Sequence, residues 1–329
     1  MRTINLTRRA ALAAVTATVA GAAIPGAAQP AYPRRPIRLI VPFPAGGGTD
    51  FFARTVSAKM ADQMGQSIMV DNRPGAASAI GAHAAATAAP DGYTILLGDM
   101  STLAINPSLY KKLPYDPQKD FTPITLTARF ALLLVVNPAQ IKVDNTRDFL
   151  QYLKAHPGLN YATVSAGTAH HLAMELFKQQ AGAQLNAVHY KGAAPAIQDL
   201  VAGQVPVMFL DLAAGGAYVK AGRLKALGVA SAKPIPGMPE LPTIASSGLP
   251  GFEAGAWQAL VAPTGTPAEI VARLNAEFAK AVADPGVRQA LMNGGIEPVT
   301  STPEEAASHI RTETAKWSEV IKRADITVD

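Results

Sequence analysis

The chain has 329 residues, a formal net charge of +5 and no cysteine. That length suits two domains. With 49% hydrophobic and 16% charged residues it is not a disordered chain. The lack of cysteine excludes disulfides, thiolate metal sites and thiol nucleophiles.

Residues 1–28 read as an export signal. Arg2, Arg8 and Arg9 form a positive start, "AALAAVTATVAGAAI" is a short apolar stretch, and "PGAA" places cleavage after Ala28. The stretch is too short and alanine-rich for a transmembrane helix. A Sec-type signal fits, and the Arg8-Arg9 pair leaves twin-arginine export open. Losing these three arginines takes the net charge from +5 to +2, so no basic face argues for nucleic acid. The expected location is the periplasm.

The first half alternates strand and helix. Ile37 to Val41 is a continuous apolar strand, and Phe52, Val56 and Met60 mark one face of a helix. Ser67 to Val70 is a second strand. "DNRPG" is turn chemistry, in which Arg73 is read as structural. A helix over Ala79 to Ala88 and a strand over Tyr93 to Leu97 follow. This rhythm predicts parallel pairing and an α/β fold.

Further along, Ala131 to Pro138 is a buried strand and Thr146 to His156 a helix stopped by Pro157-Gly158. "LNYATVSAGTAHHLAMELFKQQAG" is a second strand–glycine–helix unit, ended by Gly182. "PAIQDLVAGQVPVMFLD" reads as helix, turn, strand, and "LKALGVAS" as another strand. The proline-rich stretch from Lys233 to Gly251 is loop. Thr266-Pro267-Ala268-Glu269 and Thr302-Pro303-Glu304-Glu305 both read as capping boxes that start C-terminal helices.

Two loops carry the chemistry. Pro42 to Asp50 holds Gly46, Gly47 and Gly48 between a strand and a helix. There, backbone amides and the helix N-terminus suit a carboxylate or phosphate. It fits neither the dinucleotide fingerprint nor a P-loop, and a plain strand–helix turn capped by Thr49 is the alternative. Ser165 to His171, "SAGTAHH", offers hydroxyls and amides, with Thr168 as ligand contact or N-cap. His170 and His171 are adjacent, point about 100° apart on a helix, and make a poor metal clasp. "TVSAG" is also close to a nucleophile elbow, and Ser165, Asp211 and His309 would complete a hydrolase order. Ser101, Thr102 and Asp211 follow strands and are cleft candidates on topological grounds. Trp257 and Tyr190 read as ligand contact or core.

The stretches "YPRRPIRLIVPFPAGGGTD", "VDNRPGAASAIGA", "AAPDGYTILLG", "AINPSLYKKLPYDPQKDFTPIT", "HYKGAAPAIQDLVAGQVPVMF", "PTIASSGLPGFEA" and "APTGTPAEIVARLNAEF" run in order over the chain. Together they resemble the tripartite tricarboxylate transporter substrate-binding proteins, the Bug-type receptors. The resemblance implies a two-lobed periplasmic-binding-protein fold, each lobe an α/β sandwich, with the ligand cleft between them. Residues 33–135 plus 254–329 would form the first lobe and 136–253 the second. The crossovers would lie near Val135-Val136 and in Phe252 to Trp257.

It also implies a ligand that is a small carboxylate: a di- or tricarboxylate, an acidic amino acid or an aromatic acid. The ligand-binding residues would be Phe43, Pro44, Ala45, Gly46, Gly47, Gly48, Thr49, Asp50, Ser101, Ser165, Ala166, Gly167, Thr168, His171 and Asp211. The expected protein is a monomer without cofactor, metal or catalytic residues. It would deliver its ligand to membrane transporter subunits or, alternatively, signal through a sensor kinase. The chain departs from common family patterns at Leu103, Ala166, Ala169 and Leu210, all near the expected cleft.

Overall fold

The computed structural model describes residues 32–328. The export-signal reading of residues 1–28 lies outside them. The first lobe contains β1 (Ile37–Val41), α1 (Gly48–Met64), β2 (Ile68–Asn72), α2 (Ala79–Ala86) and β3 (Thr94–Asp99). A π-turn, Ser101–Ile105, then runs into α3 (Asn106–Leu109) and β4 (Phe121–Phe130).

The second lobe contains β5 (Leu132–Val136), α4 (Thr146–Ala155), β6 (Leu159–Val164), α5 (Ala169–Ala181), β7 (Leu185–Tyr190), α6 (Ala193–Ala202), β8 (Val207–Asp211), α7 (Leu212–Lys220) and β9 (Lys225–Val229). The chain then returns through β10 (Ala256–Pro263), α8 (Ala268–Ala283), α9 (Pro285–Asn293), β11 (Glu297–Pro298) and α10 (Pro303–Arg323).

The strands form two sheets, ordered β11-β4-β10-β3-β1-β2 and β7-β6-β8-β5-β9. Each has one strand with parallel neighbours on both sides. In the first sheet it is β1, between β2 and β3; in the second it is β6, between β7 and β8. Both feed a glycine loop and then a helix, so the two loops leave the carboxyl ends of matching strands, where ligands of open α/β sheets sit. Antiparallel strands complete each sheet: β10 beside β3 and β4, and β5 beside β8 and β9.

The first crossing between lobes lies earlier than Val135-Val136. β5 pairs along its whole length within the second sheet, so the chain changes lobe at Ala131, between β4 and β5. The chain returns to the first sheet between Ala254 and Ala256. Ala254 N still bonds Ala230 O in the second lobe, while Ala256 already pairs with Phe130 of the first sheet.

Packing follows the apolar spacing. Phe52, Val56 and Met60 of α1 are buried in one core cluster with Leu274 and Phe278 of α8. α10 lies against β4 and also against α5, and Gln179 Nε2 of α5 donates to Val320 O at 3.0 Å. The C-terminal helix thus ties one lobe to the other.

The Thr302 capping box forms. Glu305 N donates to Thr302 Oγ1 and Thr302 N to Glu305 Oε2. The box expected at Thr266 does not form. Its hydroxyl instead donates backward to Pro263 O at 2.7 Å, and α8 begins after Pro267 without a side-chain cap.

Candidate functional site

The cleft between the lobes encloses about 350 Å³ and is lined from both sides. Phe43, Thr49, Asp99, Met100 and Ser101 come from the first lobe, and Val164, Thr168, Ala169, His170 and Asp211 from the second. Phe130, Ala256, Trp257 and Gln258 come from the crossing strands. No lysine or arginine is among these residues.

The first loop is built by an aspartate. Asp50 is only 4% exposed. Its Oδ2 accepts from Gly46 N (2.9 Å) and Arg54 Nε (3.0 Å), and its Oδ1 accepts from Asn72 Nδ2 (3.0 Å). The Arg54 guanidinium and then the Gly46 amide hold the Asp50 carboxyl down at about 2. Asp50 therefore shapes the loop from beneath rather than lining the cleft, and the Gly46 amide is spent on it. Gly46 has φ +86, a conformation few other residues adopt. Pro44 to Gly48 are exposed, and α1 starts at its N-cap Gly47 with no side-chain cap. The first turn of a helix leaves backbone N–H groups unpaired, and here no N-cap side chain bonds them.

The second loop is different. Ser165 and Ala166 are exposed, but Thr168 caps α5: its Oγ1 accepts from His171 N and donates to Val164 O. Gly167 turns inward with φ +72, and its amide donates to His171 Nδ1 at 3.1 Å.

His171, expected in the cleft, is instead buried beneath the loop. Its Nε2 faces Glu175 Oε1 at 3.7 Å, and burial lowers its pKa to about 4. His170 occupies the cleft in its place, with Nε2 2.7 Å from Asp211 Oδ2. The helix start sets this choice. Thr168 as N-cap aims the third helical residue at the core and the second at the cleft.

Of the expected residues, the cleft brings together Phe43, Thr49, Ser101, Thr168 and Asp211. Sequence reasoning missed Asp99, Gln258 and the choice of His170. Asp99 carries the same strand-end signal that singled out Ser101.

Arg73, read as structural, pairs through Nε with Asp71 at 2.8 Å, and the candidate Tyr190 donates its OH to Asp199 at 2.8 Å, outside the cleft lining. The hydrolase order assembles no triad. Asp211 is held by His170, while His309 on α10 stands edge-on to Trp257, ring centroids 4.9 Å apart, in another recess with Glu253 and Lys316.

Two α/β lobes, joined by crossing strands and facing each other across a cleft with a glycine loop on each side, are the architecture of solute-binding receptors. The comparison with known proteins agrees. Residues 52–326 match the model of the tripartite tricarboxylate transporter family receptor, and the chain belongs to that family of receptors.

BugT of Bordetella pertussis is 37% identical over 97% of this chain and 98% of its own length. The structure of R. palustris Rpa4515, solved with adipate, is 37% identical, covers 91% of this chain and all of its own, and superposes with a TM-score of 0.76. That of MatC from Rhodopseudomonas palustris, solved with bound malate, is 34% identical over 88% of this chain and all of its own, with a TM-score of 0.71.

Proposed function

We propose that this receptor captures a small organic carboxylate in the periplasm and hands it to a membrane transporter of the tripartite tricarboxylate type. One observation carries the reading: the uncapped start of α1, preceded by exposed glycines, stands at the carboxyl end of β1 beside the interlobe cleft. Helix N-termini with free amides favour anions. Among the described residues no lysine or arginine lines the cleft, so these amides are the main donors for a carboxylate.

Hydrogen bonds to a charged acceptor are each worth about 1.5–3 kcal/mol. Three or four such bonds supply about 5–12 kcal/mol, the scale of the roughly 8 kcal/mol of micromolar binding. The adipate and malate bound by two relatives support a carboxylate as the class of ligand.

Gly47→Val tests the reading. Gly47 has φ −84, which any residue adopts, and an added Cβ would meet only Pro44 O, at 3.9 Å. The variant should therefore fold, with its branched side chain covering the α1 amides. The expected result is loss of carboxylate binding in thermal-shift and calorimetric titrations, with the ligand-free melting temperature unchanged. Undiminished binding in that folded variant would remove the loop from the site.

A further inference from the structure

β3 and β8 hold matching places in the two sheets. Each lies between the loop-feeding strand, β1 or β6, and an antiparallel neighbour, β10 or β5. Each ends on an aspartate, Asp99 or Asp211, and both aspartates line the cleft. The two lobes thus present a carboxyl group each from equivalent positions.

Asp99 has a second acceptor at its side. It pairs in register with Gln258 of β10, and directly opposed residues of an antiparallel pair project from the same face with Cβ atoms about 5 Å apart. Gln258 is 3% exposed. Its Nε2 donates to Thr49 Oγ1 at 2.6 Å, and its Oε1 is buried without a partner. Buried polar atoms are nearly always satisfied, and an unsatisfied one calls for an explanation.

The cleft is therefore rich in acceptors, and among the described residues no lysine or arginine lines it. Its one basic ring, His170, is tied to Asp211. A ligand made only of carboxylates and methylenes would face Asp99 and Gln258 Oε1 with nothing to donate.

Resting on the carboxylate reading above, we propose that the ligand carries a hydrogen-bond donor of its own, an amino or hydroxyl group, received by Asp99 and Gln258 Oε1 while its carboxylate meets the α1 amides. Burial pushes the Asp99 carboxyl above its ordinary range, against the hydrogen bonds of Thr102 and Ser101 that favour its charged form. A cationic donor beside it would restore that form.

The test is calorimetric titration of the purified protein with matched sets. These are succinate, malate and aspartate; glutarate, 2-hydroxyglutarate and glutamate; adipate, 2-hydroxyadipate and 2-aminoadipate; and benzoate, salicylate and anthranilate. In the set of the right length, the amino or hydroxy member should bind at least about tenfold tighter than the plain acid.

Asp99→Asn and Gln258→Leu should each narrow that ratio to about threefold or less. A ratio that narrows for the amino member alone in Asp99→Asn identifies an ammonium as the donor. Narrowing for both members identifies a donor shared with the hydroxyl. Where one variant fails to fold, judged by its ligand-free melting curve, the other decides.

Plain acids that bind as tightly as their substituted partners in every set overturn the proposal and leave the carboxylate reading standing. So does a preference that survives in both variants. Failure of every acid to bind overturns the carboxylate reading, and this proposal with it.

Discussion

Gly167 of the second lobe lies directly against Leu109 of the first: a Cβ added to Gly167 would come within 2.3 Å of Leu109 Cδ1. The second glycine loop thus touches the first lobe beside the cleft. Gly167→Ala meets two penalties. Its φ of +72 costs an alanine about 1 kcal/mol, and the methyl group must push the lobes apart or displace Leu109. Ligand affinity should fall at least about tenfold, with only a small drop in melting temperature. Full affinity in this variant would mean that the contact is not used when ligand is held.

The His170–Asp211 pair, at 2.7 Å, fixes the second wall of the cleft. Asp211→Ala frees the His170 ring and removes a polar group from the lining. Both residues are part-exposed, so stability should change by less than about 1 kcal/mol while affinity falls by about tenfold or more. A titration that matches the parent would place the pair outside the ligand's reach.

The two strand–glycine–helix units were legible in the sequence because glycine clusters between an apolar run and an amphipathic stretch are strong local signals. The same holds for α1, whose stripe of Phe52, Val56 and Met60 is buried as its spacing requires. β4 and β10 were not legible. They are long antiparallel strands that form only because each finds partners far away in the chain, β10 between β3 and β4.

The choice between His170 and His171 was also hidden. It depends on which residue caps α5, and a one-residue difference there turns the ring by about 100°. Thr266 misled for a related reason. Its sequence fits a capping box, but the carbonyl of Pro263 is nearer and takes the hydroxyl.

Asp50 sets an acid limit on stability. Its carboxyl is held at about 2 in the folded protein, against about 3.8 for an unconstrained aspartate. A lowered folded pKa contributes stability above the unfolded value, and this is lost as pH falls through the folded one. The contribution should therefore disappear between about pH 4 and pH 2. Its size is about 1–2 kcal/mol once the exposure of Arg54 is allowed for. Asp50→Asn should lower stability by that amount at pH 7 and flatten this part of the acid limb in urea unfolding. An unchanged acid limb would show that the Arg54 and Gly46 contacts do not hold the charge.

Glu313 is the acceptor on which the C-terminal helix turns. Its Oε2 accepts from Trp257 Nε1 at 3.0 Å and from Trp317 Nε1 at 2.8 Å, and its Oε1 pairs with Lys316. Trp257 belongs to the returning strand and lines the cleft, while Trp317, one turn along α10 from Glu313, is fully buried. One carboxylate thereby joins the crossing strand to the helix that spans both lobes.

In Glu313→Leu both indole N–H groups lose their acceptor in a dry environment, at about 1–3 kcal/mol each. Leucine recovers part of the packing, so the net cost should be about 2–4 kcal/mol. Glu313→Gln keeps one acceptor oxygen and should cost less than half of that. Urea unfolding of the three proteins measures both differences. A leucine variant as stable as the parent would mean that packing, not the shared carboxylate, holds α10 in place.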